Sequence, residues 1–196
     1  METGSEKPVR ADAQRSIEAL IEAARDVFST EGVDAPVRAI AQKAGVGIGT
    51  LYRNFPNRAD LISAVFRREI DDCADAAEVL AAKHDPFEAL SEWLKRYVNF
   101  LATKKGFAAA LHSGDEAYAP LPAHVRARFG PAVKQLVDAA IAAKSIRADT
   151  NPDDILRAVG NLATGAYGSD AKHAQQMVLL LMDGLRFGVS SETTVR

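Results

Sequence analysis

The stretch Val37 to Arg58, VRAIAQKAGVGIGTLYRNFPNR, constrains this chain more than any other. Ile40, Ala41 and Ala44 set an apolar stripe at helical spacing, and Gly45 ends that helix. Val46 follows as a buried plug, and Gly47 permits a fresh start. Ile48 to Phe55 reads as a second short helix whose Leu51 and Phe55, four apart, both point inward. Asn57 is placed to cap a third, longer helix. Two short helices across a tight glycine turn form a helix-turn-helix, a unit whose second helix can lie in the DNA major groove.

The local charge agrees. The window holds Arg38, Lys43, Arg53 and Arg58 with no Asp or Glu, inside a chain whose 24 Lys and Arg against 26 Asp and Glu leave a net charge of −2. The total therefore says nothing for a nucleic-acid partner, whereas the distribution does. With Leu51 and Phe55 assigned to the core, Ile48, Gly49, Thr50, Tyr52, Arg53 and Asn54 remain on the outer faces. Thr50 and Tyr52 carry hydroxyls suited to phosphate oxygens, which fix register without reading sequence. Arg53 and Asn54 have the donors that read guanine and adenine edges. Gly49 lets the helix approach DNA closely. Arg38 is placed to reach either a base or a phosphate, and Arg58 to neutralise a phosphate.

These residues also carry a resemblance. Ala44-Gly45-Val46, then Gly49-Thr50-Leu51-Tyr52 and Phe55, resemble the DNA-binding domain of tetracycline-repressor (TetR) family regulators. The continuation Asn57-Arg58-Ala59-Asp60-Leu61-Ile62 is similar to the way that family enters its fourth helix. The motif match covers residues 13 to 66, and beyond it the resemblance is one of layout. Gly47 stands where the family often has serine, so the side-chain oxygen is missing there. The resemblance implies that Thr50 and Tyr52 occupy phosphate-contacting positions. It places Arg38, Ile48, Arg53 and Asn54 at variable base-reading ones. It also implies that the portion from Leu61 to Phe187 binds a small effector and forms the dimer.

Composition sets limits on the alternatives. A hydrophobic content of 47% with 26% charged residues is ordinary for a soluble globular protein, and plentiful alanine favours helix. The one cysteine, Cys73, permits no internal disulfide and no cysteine-based zinc site. Without a signal-type or bilayer-length apolar run, a cytoplasmic protein with no membrane partner is expected. No cofactor is expected.

The expected fold is all-α: an N-terminal three-helix helix-turn-helix domain and a C-terminal helical bundle for ligand binding and dimerisation. Residues 1–12 read as a flexible arm, either reaching DNA through Lys7, Arg10 and Arg15 or simply solvated. Residues 13–60 read as the DNA-binding domain, 61–189 as the effector-binding and dimerisation domain, and 190–196 as a flexible tail. The first helix spans Ala13 to Glu31 and ends at Gly32, and Pro36 opens the second. Val27, Phe28, Val33, Val37, Ile40, Val46, Leu51 and Phe55 form the core of this small domain. A long helix follows Asn57 and runs to Lys83. Asp85-Pro86 opens another that closes at Lys104-Lys105-Gly106, with a short helix at 107–111 and a loop at 113–122 after it. Ala123 to Lys144, bent near Gly130-Pro131, then 153–167 behind an Asn151-Pro152 cap, and 171–187 complete the chain.

Trp93, Tyr97, Phe100, Phe107, His112, Tyr118 and Tyr167 supply aromatic walls with polar tips, either a ligand pocket or ordinary core. His112 near Asp115 and Glu116 lacks a second histidine and a nucleophile motif, so neither catalysis nor metal binding is expected. In the last two helices Leu162, Ala163, Ala166, Val178, Met182 and Leu185 mix small and apolar residues, the pattern of a four-helix dimer interface or of internal core. A two-fold dimer would set its recognition helices about one DNA turn apart, ~34–36 Å or a multiple. The expected function is therefore a DNA-binding transcriptional regulator. It would be a repressor that holds a palindromic operator as a homodimer until a small-molecule effector releases it. The alternatives are an all-helical adaptor or an enzyme without a DNA role.

Overall fold

The computed structural model describes the backbone of residues 6–106, 113–164 and 171–187, and side chains within 12–102, 113–163 and 172–186. The proposed tail at 190–196, the short helix at 107–111, and Phe107, His112, Ala166 and Tyr167 lie outside the described residues. Within them the chain is helical, with no strand: α1 (Glu6–Glu31), α2 (Val37–Lys43), α3 (Ile48–Asn54), α4 (Arg58–Lys83), α5 (Pro86–Gly106), a single 3-10 turn at Glu116–Tyr118, α6 (Leu121–Ala142), α7 (Pro152–Thr164) and α8 (Ala171–Phe187). The all-helical class expected from the sequence is the class observed. No helix among the described residues is long and apolar enough to cross a membrane.

The chain divides into two compact units, Met1–Arg68 with Gly106–Leu121, and Glu69–Lys105 with Pro122–Arg196. In the first, α1 packs on α2 and α2 on α3. Its buried side chains include Leu20, Ala24, Val27, Phe28, Ile40, Ala41, Leu51, Phe55, Leu61 and Val65. Val33, Val37 and Val46, expected in this core, are only half-buried. They sit in or beside tight turns, where a short side chain cannot reach the centre.

Local chemistry explains the boundaries. Gly45, at φ 67°, ends α2: its N–H donates to Gln42 O at 3.1 Å and the Val46 N–H to Ala41 O at 3.1 Å. That pair of bonds is the Schellman arrangement, and it needs a left-handed residue where glycine costs nothing. At the start of α4, Asn57 Oδ1 accepts from the Asp60 N–H at 2.9 Å while Asp60 Oδ2 accepts from the Asn57 N–H at 3.3 Å, a reciprocal capping box. Asp85 Oδ1 caps α5 through the N–H groups of Phe87 and Glu88 at 3.0 and 3.1 Å. Asn151 caps α7 through the Asp153 N–H at 2.8 Å.

Some expected ends move. α1 begins at Glu6 rather than Ala13, with Pro8 in the first turn, where no intrahelical N–H is lost. Pro36 is the cap of α2, at ψ 126°, rather than its first residue. α6 starts at Leu121, with Pro122 again in the first turn, and stops at Ala142. Lys144, at φ 55°, closes α6 with the same Schellman bonds, Lys144 N–H to Ile141 O at 2.8 Å and Ser145 N–H to Ala140 O at 2.9 Å.

The second unit is built on α5. Trp93 is fully buried, and its indole N–H donates to Cys73 O at 2.9 Å, joining α5 to α4. Asp71 of α4 accepts from His124 Nε2 at 2.9 Å and Arg128 Nε at 2.7 Å, joining α4 to α6. Burial pushes the Cys73 thiol up to about 12, so it stays protonated near neutral pH. Phe129 of α6 meets Trp93, Tyr97 and Phe100 edge-on at 6.0, 5.3 and 5.2 Å between ring centroids. Phe129→Ala is therefore expected to cost about 3–5 kcal/mol, read as a lowered denaturation midpoint. A loss under 1 kcal/mol would mean that the three rings close over the gap.

Candidate nucleic-acid interface

The two anchors of α3, Leu51 and Phe55, are buried, while Ile48 is 40% and Tyr52 50% exposed. Gly49 and Arg53 are exposed, and Thr50 and Asn54 half-buried. Arg38, near the start of α2, is exposed. The structure thus brings Ile48, Gly49, Thr50, Tyr52, Arg53 and Asn54 onto one seven-residue helix with its sequence-assigned faces intact.

Arg53, Thr50 and Asn54 are bonded to one another and to the α3 backbone. Arg53 Nε donates to Gly49 O at 3.3 Å, and its Nη2 to Thr50 Oγ1 at 3.0 Å. Asn54 Nδ2 donates to Thr50 O at 2.8 Å. Thr50 Oγ1 accepts from Arg53, which leaves its own O–H to donate to a phosphate. The two residues with base-reading chemistry are held against their own helix in the free chain.

The positive patch is thinner than the sequence suggests. Lys43 Nζ pairs with Asp26 Oδ2 of α1 at 2.9 Å. The bond and charge of Lys43 hold the Asp26 carboxyl below its usual range. Asp26 lies outside the acid-free window, so the window hid this neutralisation. Arg58 turns inward: its Nη1 donates to Val33 O at 2.5 Å and Ala35 O at 2.8 Å. Neither partner was foreseen, because a backbone carbonyl in a turn leaves no mark on residue type. Arg38 and Arg53 remain as the exposed arginines of the window.

Comparison with known proteins decides what this surface belongs to. Residues 20–65 match the model of bacterial regulatory proteins of the tetR family, and residues 85–187 that of the SbtR-like transcriptional regulator C-terminal domain. The chain belongs to the TetR family of transcriptional regulators. A TetR transcriptional regulator from Streptomyces coelicolor is 38% identical with a TM-score of 0.72, over 87% of this chain and 98% of that one. A TetR transcription regulatory protein from Mycobacterium vanbaalenii is 32% identical with a TM-score of 0.74, over 91% of this chain and 99% of that one. An HTH-type transcriptional regulator of Staphylococcus aureus (strain USA300) is 28% identical over 109 residues, 55% of this chain. This chain spans 59% of that curated relative's length.

α3 is thus the second helix of a TetR-family helix-turn-helix, the DNA-binding unit of this family of transcriptional regulators. Among the described residues no group of three or more His, Cys, Asp and Glu is placed to hold a metal ion.

Beyond the TetR-family head, Trp93, Tyr97 and Phe100 form a ladder on α5. Trp93 and Tyr97 stack at 5.8 Å and 10°, and Tyr97 and Phe100 at 6.3 Å and 15°. Burial pushes the Tyr97 phenol up to about 12. Trp93, with no exposed surface, is core. Phe129, absent from the sequence-derived set, is the ring that locks this ladder; its place on the stripe with Val133 and Leu136 was the available signal. Tyr118 is buried and belongs to the first unit.

Of the residues expected at a dimer surface, Ala163, Val178 and Met182 are buried within their own chain and Leu185 is half-buried. α7 packs on α8. Leu162 is 39% exposed, and beside it on these helices Leu179 and Leu180 are 42% and 62% exposed. Three consecutive leucines from 179 cannot all face one core in a helix, which was the signal for this second face.

Gly49 separates fold from recognition. A Cβ added there meets nothing within 4 Å, so Gly49→Ala is compatible with the structure. The melting temperature should hold or rise, since alanine gains up to about 1 kcal/mol over glycine in a helix. Affinity for specific DNA should fall, as the methyl group keeps α3 out of the groove. Equal affinity by fluorescence anisotropy would remove Gly49 from the contact surface.

Proposed function

We propose that this TetR-family regulator is a repressor that binds a palindromic operator as a homodimer and releases it when a small-molecule effector binds. The observation that carries it is the anchored yet exposed α3: Leu51 and Phe55 hold the helix while Tyr52, Arg53 and Ile48 stand outward. In this mechanism the Thr50 and Tyr52 hydroxyls fix register on phosphates, and Arg53 and Asn54 exchange bonds within α3 for bonds to base edges. Arg38 adds a contact from α2. The domain roles follow the same reading, with the head reading DNA and the helices after residue 61 binding effector and partner.

The exposed leucines of α7 and α8 support the dimer. Leu162, Leu179 and Leu180 would meet their copies across a two-fold axis, with Ala163, Val178 and Met182 as the packed layer beneath. The α5 ladder of Tyr97 and Phe100, held by Phe129, supports an apolar wall for an effector. The effector acts only through its differential affinity for operator-competent and released conformations, typically 1–3 kcal/mol.

Two variants test this reading. Tyr52→Ala with Arg53→Ala should lose about a hundredfold in specific DNA affinity while keeping helicity and dimer. Retained binding would mean that another helix reads the DNA. Leu179→Glu with Leu180→Glu should yield a folded monomer in sedimentation equilibrium whose operator affinity collapses, because one head alone spans one half-site. A dimer that survives this change would place the two-fold interface elsewhere.

A further inference from the structure

The Arg58 guanidinium leads away from α3. Its Nη1 carries two hydrogens, and two carbonyls receive them: Val33 O at 2.5 Å and Ala35 O at 2.8 Å. Both carbonyls belong to the turn between α1 and α2. Gly32 opens that turn at φ 85°, and Pro36 closes it. Ala35 is buried, so its carbonyl needs a partner from the protein. Arg58 is itself the first residue of α4, and the reciprocal Asn57 and Asp60 bonds fix that end.

The topology gives this contact its meaning. Residues 36–57, between the turn and α4, contain α2, the Gly45 turn, α3 and nothing else. Arg58 ties the end of that segment back to its beginning. The helix-turn-helix is therefore a loop whose two ends this guanidinium joins. We infer that Arg58 is a positioning residue for the recognition helix: it acts on DNA binding by closing this loop, rather than by lending its charge to a phosphate. A lysine would keep the charge but replace the planar fork with a compact ammonium on a flexible stem, which cannot hold both carbonyls in the same geometry.

The inference rests on the proposed DNA-binding role of α3, and the test separates the two. Arg58→Lys and Arg58→Met are compared with wild type as full chains. In the DNA-free proteins, amide hydrogen exchange across Val37–Asn54 should quicken about tenfold in both variants, while α5 and α6 hold their protection. On a duplex enriched by the wild-type protein from a random pool, both variants should lose about tenfold or more in affinity. Affinity for a scrambled duplex should hold, and the slope of log affinity against log salt should match wild type. Unchanged exchange in both variants overturns the inference. So does a phosphate signature, in which Lys restores wild-type affinity and Met lowers the salt slope by about one. If the wild-type protein enriches no duplex, the DNA-binding reading of α3 falls, and the exchange measurement still decides whether Arg58 closes the loop.

Discussion

The recognition surface depends on the burial of Leu51 and Phe55 beneath a seven-residue helix. A helix of two turns has no stability of its own, since nucleation costs more than so few bonds return. Its N-cap is Gly47, which makes no side-chain cap bond. α3 exists because two large side chains, one turn apart, lose their water together; at about 1.5–3 kcal/mol each, that burial outweighs the missing cap. The same anchoring fixes which residues face out, so the recognition face follows from packing before any contact with DNA is considered.

Electrostatics plays a smaller part than an acid-free window implies. Asp26 answers Lys43 and two carbonyls answer Arg58, so part of the positive charge does structural duty. What remains is a short polar face on which Arg53 and Asn54 donate within the helix. Such bonds between exposed groups are worth only about 0.5–1.5 kcal/mol each, so exchanging them for equivalent bonds to DNA changes little in net terms. In the proposed mechanism affinity then comes from fit, and specificity from which bases let Arg53 and Asn54 leave α3 without loss.

How much of this was legible in the sequence depends on whether the deciding group is a side chain with one purpose. Gly45, Asn57, Asp85 and Asn151 each announce a helix boundary, because left-handed turns favour glycine and orphan N–H groups favour short acceptors. Lys144 adopts the same left-handed cap as Gly45 and announces nothing, since lysine is ordinary inside a helix. The faces of α3 were legible from the spacing of Leu51 and Phe55. The exposed stripe of α8 was not, because Val178 and Met182 share their helix with Leu179 and Leu180, and periodicity alone cannot say which stripe meets the chain's own core. The role of Arg58 was hidden for a different reason: its partners are backbone carbonyls, which every residue carries.

α4 joins these observations. It is one helix of 26 residues, and its contacts differ in kind along its length. At its N-terminal end the capping box and Arg58 bind it to the turn that feeds α2. Further along, Asp71 takes His124 and Arg128 of α6, and the Cys73 carbonyl takes the Trp93 indole. A helix end held by directional polar bonds has few small adjustments open to it, because hydrogen bonds weaken steeply when misaligned. In the proposed mechanism the brace at Arg58 would keep α2 and α3 together as a unit, so that operator release needs no unfolding of the helix that reads DNA.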